Sequence, residues 1–309
     1  MKTTFNRREV LKLSIMGGLG LSLNPIPNSL MALEKIHTRN IPSTGEPLPI
    51  IGLGTWQTFD VGNSIEKRKL LSKVLAEMNR FGGSVIDSSP MYASSEKVVG
   101  DLTSNLVFQN QLFYATKVWT SGKQAGIRQM EASMRKMQRR KLDLMQIHNL
   151  VDWKTHVKTL KTWKEEGKIK YWGITHYVNS AHGSLEKIIK SEGPDFVQFN
   201  YSIRSRHAED SLFNTAKKYD VATLVNQPYE SGSLFRRVKG KSLPPWAQEN
   251  DINSWGQYFL KFILSNKNVT CVIPGTSKPH HMIDNMKAGL GKMPDQKLRN
   301  QMASYLNSI

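Results

Sequence analysis

The chain has 309 residues, of which 39% are hydrophobic and 22% are charged, so it is able to bury a large core and does not have the composition of a disordered chain. Its formal net charge of +18 would suit a nucleic-acid partner if the basic residues were clustered, but apart from the run RKMQRRK at 135–141 they are scattered, and no nucleic-acid-binding motif accompanies them. The single cysteine, Cys271, excludes an intramolecular disulfide and a cysteine cluster for a metal.

The first 32 residues predict export. They contain the paired Arg7 and Arg8, followed by a glycine-rich apolar stretch at 13–23. This arrangement resembles a twin-arginine signal, and its apolar part is shorter than the roughly 20 residues that span a bilayer. We expect recognition by the twin-arginine export machinery, cleavage after Ala32, no stable membrane span after cleavage, and a periplasmic or otherwise exported product. An uncleaved anchor is the alternative.

The remainder, residues 33–309, shows the periodicity of an α/β protein. A turn at 42–45 separates two β-prone pieces and predicts an N-terminal β-hairpin. Helical patterns alternate with apolar strand-like runs, as in the spacing of Ile127, Met130, Met134 and Met137. The eight predicted strands are 50–56, 84–89, 112–119, 142–150, 169–175, 195–202, 221–227 and 269–276.

Eight strand–helix units of this size predict a (β/α)8 TIM barrel that forms one domain. A doubly wound sheet is the competing fold, and it would usually show G-x-G-x-x-G after its first strand. The sequence GLGTWQ at 52–57 has only the first two glycines. We interpret the long interval 227–269 as a loop over the site followed by a helix.

Four polar residues lie at or just after the ends of consecutive predicted strands, where a barrel of this kind has its chemistry. They are Asp87, Tyr92, Lys117 and His148. Singly, Asp87 could cap a helix, and Tyr92 and His148 could belong to the core. Lys117 is different, because an ammonium inside the apolar run LFYATKVW requires a paired anion, and the neighbouring strand offers Asp87.

The ordered motifs GLGTW, VIDSSPMYASSEKVVG, YATKVW, MQIHN, WGIT, VQFNYS and VIPGT resemble those of the aldo-keto reductase superfamily from about Lys35 to the C-terminus. The resemblance implies that the four polar residues form a catalytic tetrad that reduces an aldehyde or ketone to an alcohol with a nicotinamide cofactor. Physical chemistry suits these roles. Lys117 would stabilise the phenolate of the proton donor Tyr92, Asp87 would neutralise Lys117, and His148 would orient or polarise the substrate oxygen.

The same resemblance implies binding of NADP(H), with NAD(H) as the alternative. Thr175 and Gln198 take the positions that bind the nicotinamide carboxamide, and Asn226 takes that of a stacking aromatic residue, a role that Tyr229 could supply instead. In the phosphate-binding segment, His281 stands where the family has arginine, and Lys278 could compensate. The positions assigned to the cofactor are Gly54, Thr55, Trp56, Thr175, Gln198, Asn226, Gly275, Thr276, Lys278, His281 and Asn285.

Two other functions compete with a reductase. One is a nicotinamide-binding sensor or interaction subunit that has the same barrel but little turnover. The differences from the family pattern at Asn226 and His281 favour this function. A metal-dependent hydrolase is disfavoured because His148 has only Asp87 as an additional ligand at the strand ends, so no metal is expected. The expected substrate is a small-molecule carbonyl, bound among Trp56, Trp119 and the segment 230–246.

Overall fold

The computed structural model describes residues 34–309, and the predicted export signal lies outside them. The strands are β1 (Thr38–Asn40), β2 (Pro47–Pro49), β3 (Leu53–Gly54), β4 (Val85–Asp87), β5 (Phe113–Val118), β6 (Leu142–His148), β7 (Ile169–Thr175), β8 (Phe196–Asn200), β9 (Ala222–Asn226) and β10 (Cys271–Val272). The α-helices span Ile65–Arg80, Ser95–Thr103, Lys123–Lys136, Trp153–Glu165, His182–Glu192, Leu212–Lys218, Ser233–Arg237, Trp255–Leu264, Pro279–Lys287 and Gln296–Ser308.

The strands β3 to β10 form one parallel sheet in which each strand pairs with the next along the chain. The sheet closes on itself, because the amide of Gly52 donates to the Val272 carbonyl at 2.9 Å and the amide of Gly54 donates to the Pro274 carbonyl at 3.2 Å. The predicted (β/α)8 barrel is therefore confirmed. Closure brings all eight strand ends to one mouth, so residues from distant parts of the chain meet there.

The hairpin of β1 and β2 covers the opposite end of the barrel. Its strands pair antiparallel, with Thr38 opposite Pro49, as the turn at 42–45 predicted. Ile41 and Leu48 are buried in one apolar cluster with the barrel residues Phe113 and Phe196. This end of the barrel is filled by side chains, which leaves the mouth at the carboxyl ends of the strands for chemistry.

The helices pack around the barrel through one apolar face each. The helix Ile65–Arg80 begins at Ser64, whose side chain accepts the Lys67 amide, and it buries Leu71, Val74 and Met78 among other residues. Each such side chain contributes roughly 1.5–3 kcal/mol when it leaves water. No helix within residues 34–309 has the length and apolar character needed to cross a bilayer.

The interval 227–269 is more ordered than its predicted loop. It contains the short helix Ser233–Arg237 and two 3-10 turns, Glu230–Gly232 and Pro245–Asn250, before the helix Trp255–Leu264. Trp246 packs against Tyr258 and Tyr305, with ring centroids 6.0 Å apart in both pairs. The second half of this interval is therefore held against the C-terminal helix by aromatic packing.

Candidate active site

The barrel mouth brings the four predicted catalytic residues together. Asp87 and His148 are the last residues of β4 and β6, Lys117 is the penultimate residue of β5, and Tyr92 follows β4 in a loop. Lys117 is completely buried, and Asp87 and His148 are 2% and 6% exposed. Parallel pairing of β4 with β5 and of β5 with β6 places these strand ends side by side.

Lys117 and Asp87 form a buried ion pair. The Lys117 Nζ donates to Asp87 Oδ2 at 2.5 Å and to the Ser88 carbonyl at 2.7 Å. Burial by itself would lower the pKa of Lys117, but the nearby Asp87 and Tyr92 outweigh it and the pKa is raised above its ordinary value. Lys117 therefore has the paired anion that its place in an apolar run predicted, and its charged form is favoured.

Tyr92 lies directly beside this cation. The Lys117 Nζ is 5.2 Å from the centroid of the Tyr92 ring. Burial raises the pKa of Tyr92, and the charge of Lys117 opposes that effect without cancelling it. Lys117 thus acts in the expected direction, but burial is the larger influence, so Tyr92 holds its proton at neutral pH.

His148 completes the group as a neutral imidazole. Its ring centroid is 5.8 Å from that of Tyr92, with the two planes nearly perpendicular, and 6.4 Å from that of Trp119. Burial, followed by the charges of Lys117 and His176, lowers the pKa of His148 to about 2. A neutral ring is able to donate one hydrogen bond and accept another, which suits a group that orients a carbonyl oxygen.

Two further residues belong to the site and were missed by the sequence argument. Gln146 is completely buried, and its Nε2 donates to Asp87 Oδ1 at 2.9 Å. The Ser89 Oγ lies 2.9 Å from His148 Nδ1. Strand alternation was an available signal for Gln146, since it lies two residues before His148 and shares its face. Ser89 carried no such signal, because its partner is 59 residues away.

The residues predicted to hold the nicotinamide adjoin the same ion pair. The Gln198 Nε2 donates to Asp87 Oδ1 at 3.0 Å, and its Oε1 accepts from Thr175 Oγ1 at 3.2 Å and from Asn226 Nδ2 at 3.4 Å. The Asn226 Nδ2 also lies 3.1 Å from the His176 carbonyl. The Asn226 Oδ1 is buried and has no hydrogen-bond partner among residues 34–309.

Gly54, Thr55 and Gly275 lie at the seam where the barrel closes. A Cβ added to Gly54 would come within 2.8 Å of the Ile273 carbonyl oxygen, and one added to Gly275 would come within 3.1 Å of the Gly54 carbonyl oxygen. The close approach of these strands explains why neither position carries a side chain. Thr55 is buried and its hydroxyl donates to the Asp87 carbonyl at 3.0 Å. Trp56 is 47% exposed at the mouth.

The segment that follows β10 makes its own set of contacts. Thr276 is buried and its Oγ1 accepts the Lys278 amide at 3.1 Å, just before the helix Pro279–Lys287 begins. Asn285 Oδ1 accepts from the Tyr229 hydroxyl at 2.6 Å, and the Tyr229 ring packs against Phe235 with centroids 4.8 Å apart. Tyr229 is therefore engaged in packing and in supporting Asn285.

His281 is exposed within this helix, and its chemistry differs from that of arginine. Partial burial, His280 and Lys278 all lower its pKa, so the ring is neutral at pH 7. In the part of the chain that the structure describes, no group of three or more His, Cys, Asp or Glu side chains is arranged to hold a metal ion.

The chain belongs to the Aldo/keto reductase family, whose sequence model matches residues 50–303. It is 25% identical to Methylglyoxal reductase YeaE of Escherichia coli (strain K12), over 75% of this chain and 83% of that protein. It is 25% identical to Glyoxal reductase of Bacillus subtilis (strain 168), over 84% of this chain and 88% of that protein. Among solved structures, an aldo-keto reductase from Klebsiella pneumoniae in complex with NADPH has the same fold, with a TM-score of 0.74, 24% identity and coverage of 88% of this chain and 95% of that one.

Proposed function

We propose that this member of the Aldo/keto reductase family reduces a small-molecule aldehyde or ketone to an alcohol with NADPH, with Tyr92 as the proton donor. The observation that carries the proposal is the buried Lys117–Asp87 pair beside Tyr92, with the His148 ring 5.8 Å from the same phenol ring. This arrangement supplies one proton and one hydrogen bond to an oxygen in the barrel mouth, which is what carbonyl reduction requires.

The nicotinamide, when bound, supplies the hydride. The protein must then neutralise the negative charge that develops on the substrate oxygen. Tyr92 donates its proton to that oxygen, and Lys117 stabilises the phenolate left behind. Asp87 keeps Lys117 charged within the buried site, because a lone buried ammonium would be strongly disfavoured. His148 donates a second hydrogen bond to the oxygen and orients it.

The residues of the mouth fit a nicotinamide carboxamide. Thr175, Gln198 and Asn226 offer amide and hydroxyl groups beside Asp87. The Asn226 Oδ1, which has no hydrogen-bond partner among residues 34–309, provides an acceptor for a carboxamide N–H. We assign Thr276, Lys278, His281 and Asn285 to the adenosine end. Lys278 supplies a positive charge for a 2′-phosphate, so we propose NADPH as the principal cofactor and NADH as a weaker one.

The substrate proposal rests on the relatives and on the rim of the site. The two curated relatives described above carry the names of methylglyoxal and glyoxal reductases, which favours a small dicarbonyl substrate for this chain. Trp56 and Trp119 are 47% and 41% exposed at the strand ends, and Trp119 lies near His148. These indoles offer apolar surface to the part of the substrate that does not react.

The test follows NADPH absorbance at 340 nm with methylglyoxal, glyoxal and a panel of larger aldehydes and ketones. The parent should oxidise NADPH with at least one carbonyl, and Tyr92→Phe should not, while both bind NADPH with equal affinity by tryptophan fluorescence. If Tyr92→Phe reduced carbonyls at the parental rate, Tyr92 would not be the donor. Tight NADPH binding without oxidation by any carbonyl would support the nicotinamide-binding sensor instead.

We also propose that residues 1–32 direct export through the twin-arginine pathway to the periplasm or beyond. The support is the paired Arg7 and Arg8 ahead of a short apolar stretch. Replacing both arginines by lysine keeps the charge and removes the pair. We expect the parent protein in the periplasmic fraction of a bacterial host and the double variant in the cytoplasmic fraction. Equal distribution of the two would refute the proposal.

A further inference from the structure

Ser89 is within hydrogen-bond distance of His148. It is completely buried, two residues after Asp87, and its Oγ lies 2.9 Å from His148 Nδ1. Distance alone does not identify the donor, because a hydroxyl is able to donate or to accept. The remaining contacts of Ser89 decide the direction of this hydrogen bond.

The Ser89 Oγ already accepts a hydrogen bond from the amide of Met91 at 3.3 Å. Among residues 34–309, His148 Nδ1 is the only acceptor within reach of the Ser89 hydroxyl proton. If Nδ1 carried a proton and donated it, the hydroxyl proton of Ser89 would be buried without a partner. A polar group left in that state costs about 1–3 kcal/mol. Ser89 therefore donates, and His148 Nδ1 accepts.

His148 then has its single proton on the other nitrogen. The ring is neutral in this buried site beside Lys117. A neutral imidazole with an unprotonated Nδ1 carries its proton on Nε2. Within residues 34–309, Nε2 makes no hydrogen bond, so its N–H is available to a ligand.

We propose that Ser89 is a positioning residue that holds His148 as the Nε2–H tautomer, so that the imidazole presents a hydrogen-bond donor to the substrate carbonyl oxygen. The inference deepens the proposed carbonyl reduction and rests on it for the identity of the substrate atom. In this arrangement the oxygen meets two donors, the Tyr92 hydroxyl and the His148 Nε2–H. A histidine in the other tautomer would present a lone pair to the oxygen and repel it.

The tautomer is measured directly by nitrogen NMR on the cofactor-free protein labelled with ¹⁵N-histidine. Two-bond correlations separate protonated from unprotonated ring nitrogens, and a His148→Gln variant identifies the signals of His148. We expect the parent to show a protonated Nε2 and an unprotonated Nδ1. Ser89→Ala should shift this pattern toward the Nδ1–H tautomer or a mixture, and Ser89→Thr, which keeps the hydroxyl, should restore it.

Ser133→Ala serves as the matched control. Ser133 is also a buried serine, but it lies in the helix Lys123–Lys136 outside the barrel, so its loss should leave the His148 signals unchanged. A parent spectrum with a protonated Nδ1, or a Ser89→Ala spectrum identical to that of the parent in a folded protein, would overturn the proposal.

Kinetics provide a second readout. Ser89→Ala should lower kcat for carbonyl reduction by about tenfold, the size expected for one misdirected hydrogen bond, without changing the Kd for NADPH. An unchanged kcat would contradict the positioning role. The NMR result does not depend on turnover, so a protein that shows the Nε2–H tautomer but reduces no carbonyl would disprove the proposed function and leave the tautomer assignment standing.

Discussion

Gln198 donates a hydrogen bond from its Nε2 to Asp87 Oδ1 at 3.0 Å. The residue predicted to hold the nicotinamide therefore touches the carboxylate that neutralises Lys117. Gln146 donates to the same oxygen at 2.9 Å, and the Gln198 Nε2 lies 3.2 Å from Gln146 Oε1. The residues proposed to bind the cofactor and those proposed to transfer the proton are therefore parts of one buried hydrogen-bond network.

The two glutamines form a matched pair for testing this network. Gln146→Leu and Gln198→Leu each remove one donor to Asp87, so we expect each to lower the free energy of unfolding by about 1–3 kcal/mol. Only Gln198 is assigned to the nicotinamide, so only Gln198→Leu should weaken NADPH binding. Urea unfolding and fluorescence titration with NADPH measure the two effects. Equal weakening of NADPH binding in both variants would contradict the assignment.

Removing one partner of the Lys117–Asp87 ion pair should lower the free energy of unfolding more than removing both partners. Lys117→Met leaves the buried Asp87 with the amide donors of Gln146 and Gln198 but without a counter-charge. Asp87→Asn leaves the ammonium of Lys117 buried without its counter-charge. Each single change should lower the free energy of unfolding by roughly 3–5 kcal/mol.

The double variant Asp87→Asn/Lys117→Met has no buried charge left unpaired at this position, so it should be more stable than either single variant. All three variants should lose reductase activity. Chemical denaturation and NADPH oxidation rates measure these outcomes. Additive losses of stability in the double variant would show that the two charges do not depend on each other.

His148 makes stability depend on pH in the acid range. Its pKa is lowered from the ordinary value of 6.5 to about 2 in the folded protein. Below pH 6.5, His148 therefore binds a proton in the unfolded chain but stays neutral in the folded chain. The free energy of unfolding consequently falls as the pH drops through 6.5 toward 2. At pH 5 this loss amounts to about 2 kcal/mol relative to neutral pH.

His148→Gln removes that loss, because glutamine does not titrate. Urea unfolding at pH 7.5 and pH 5 should show a smaller decrease for His148→Gln than for the parent. All other titrating groups contribute to both proteins, so the difference between the two decreases reports on His148. If the free energy of unfolding decreased equally in the parent and in His148→Gln, His148 would titrate near its ordinary pKa in the folded state.

Glu96, in the helix Ser95–Thr103, is a further buried ionisable group. Its Oε1 accepts from Thr116 at 2.6 Å, but its Oε2 has no hydrogen-bond partner within residues 34–309. Burial raises the pKa of Glu96, so the folded state disfavours its charged form and stability decreases as the pH rises above the ordinary value of 4.5. Lys136 Nζ, 3.7 Å from Oε2, compensates only in part.

Glu96→Gln keeps the Thr116 contact and removes the buried charge. We expect it to raise the free energy of unfolding by about 1 kcal/mol at pH 7.5 and by less at pH 4.5. Glu131→Gln, an exposed position on the adjacent helix Lys123–Lys136, is the control and should change little at either pH. Destabilisation by Glu96→Gln at pH 7.5 would mean that the carboxylate is well paired in solution.

The order of strands and helices could be predicted from the chain alone, because apolar runs separated by turns and amphipathic segments are local patterns. The eight predicted strands and the hairpin are confirmed. The pairing of Lys117 with Asp87 followed from the same information, since consecutive strands of a parallel barrel are neighbours and a buried ammonium needs an anion. The segment 227–269 was the exception, because its short helix and 3-10 turns depend on packing against the C-terminal helix.

Only the tertiary structure determined which side chains of the site form hydrogen bonds with one another. Ser89 meets His148 and Gln198 meets Asp87 across separations of 59 and 111 residues, and no local pattern specifies such contacts. The residue types predict that Lys117 lowers the pKa of Tyr92. They do not predict that burial raises it by more, because this desolvation depends on how closely the mouth surrounds the phenol. The residue types determined which acids, bases and hydrogen-bond donors the chain contains. Closure of the barrel determined which of them lie together in one site.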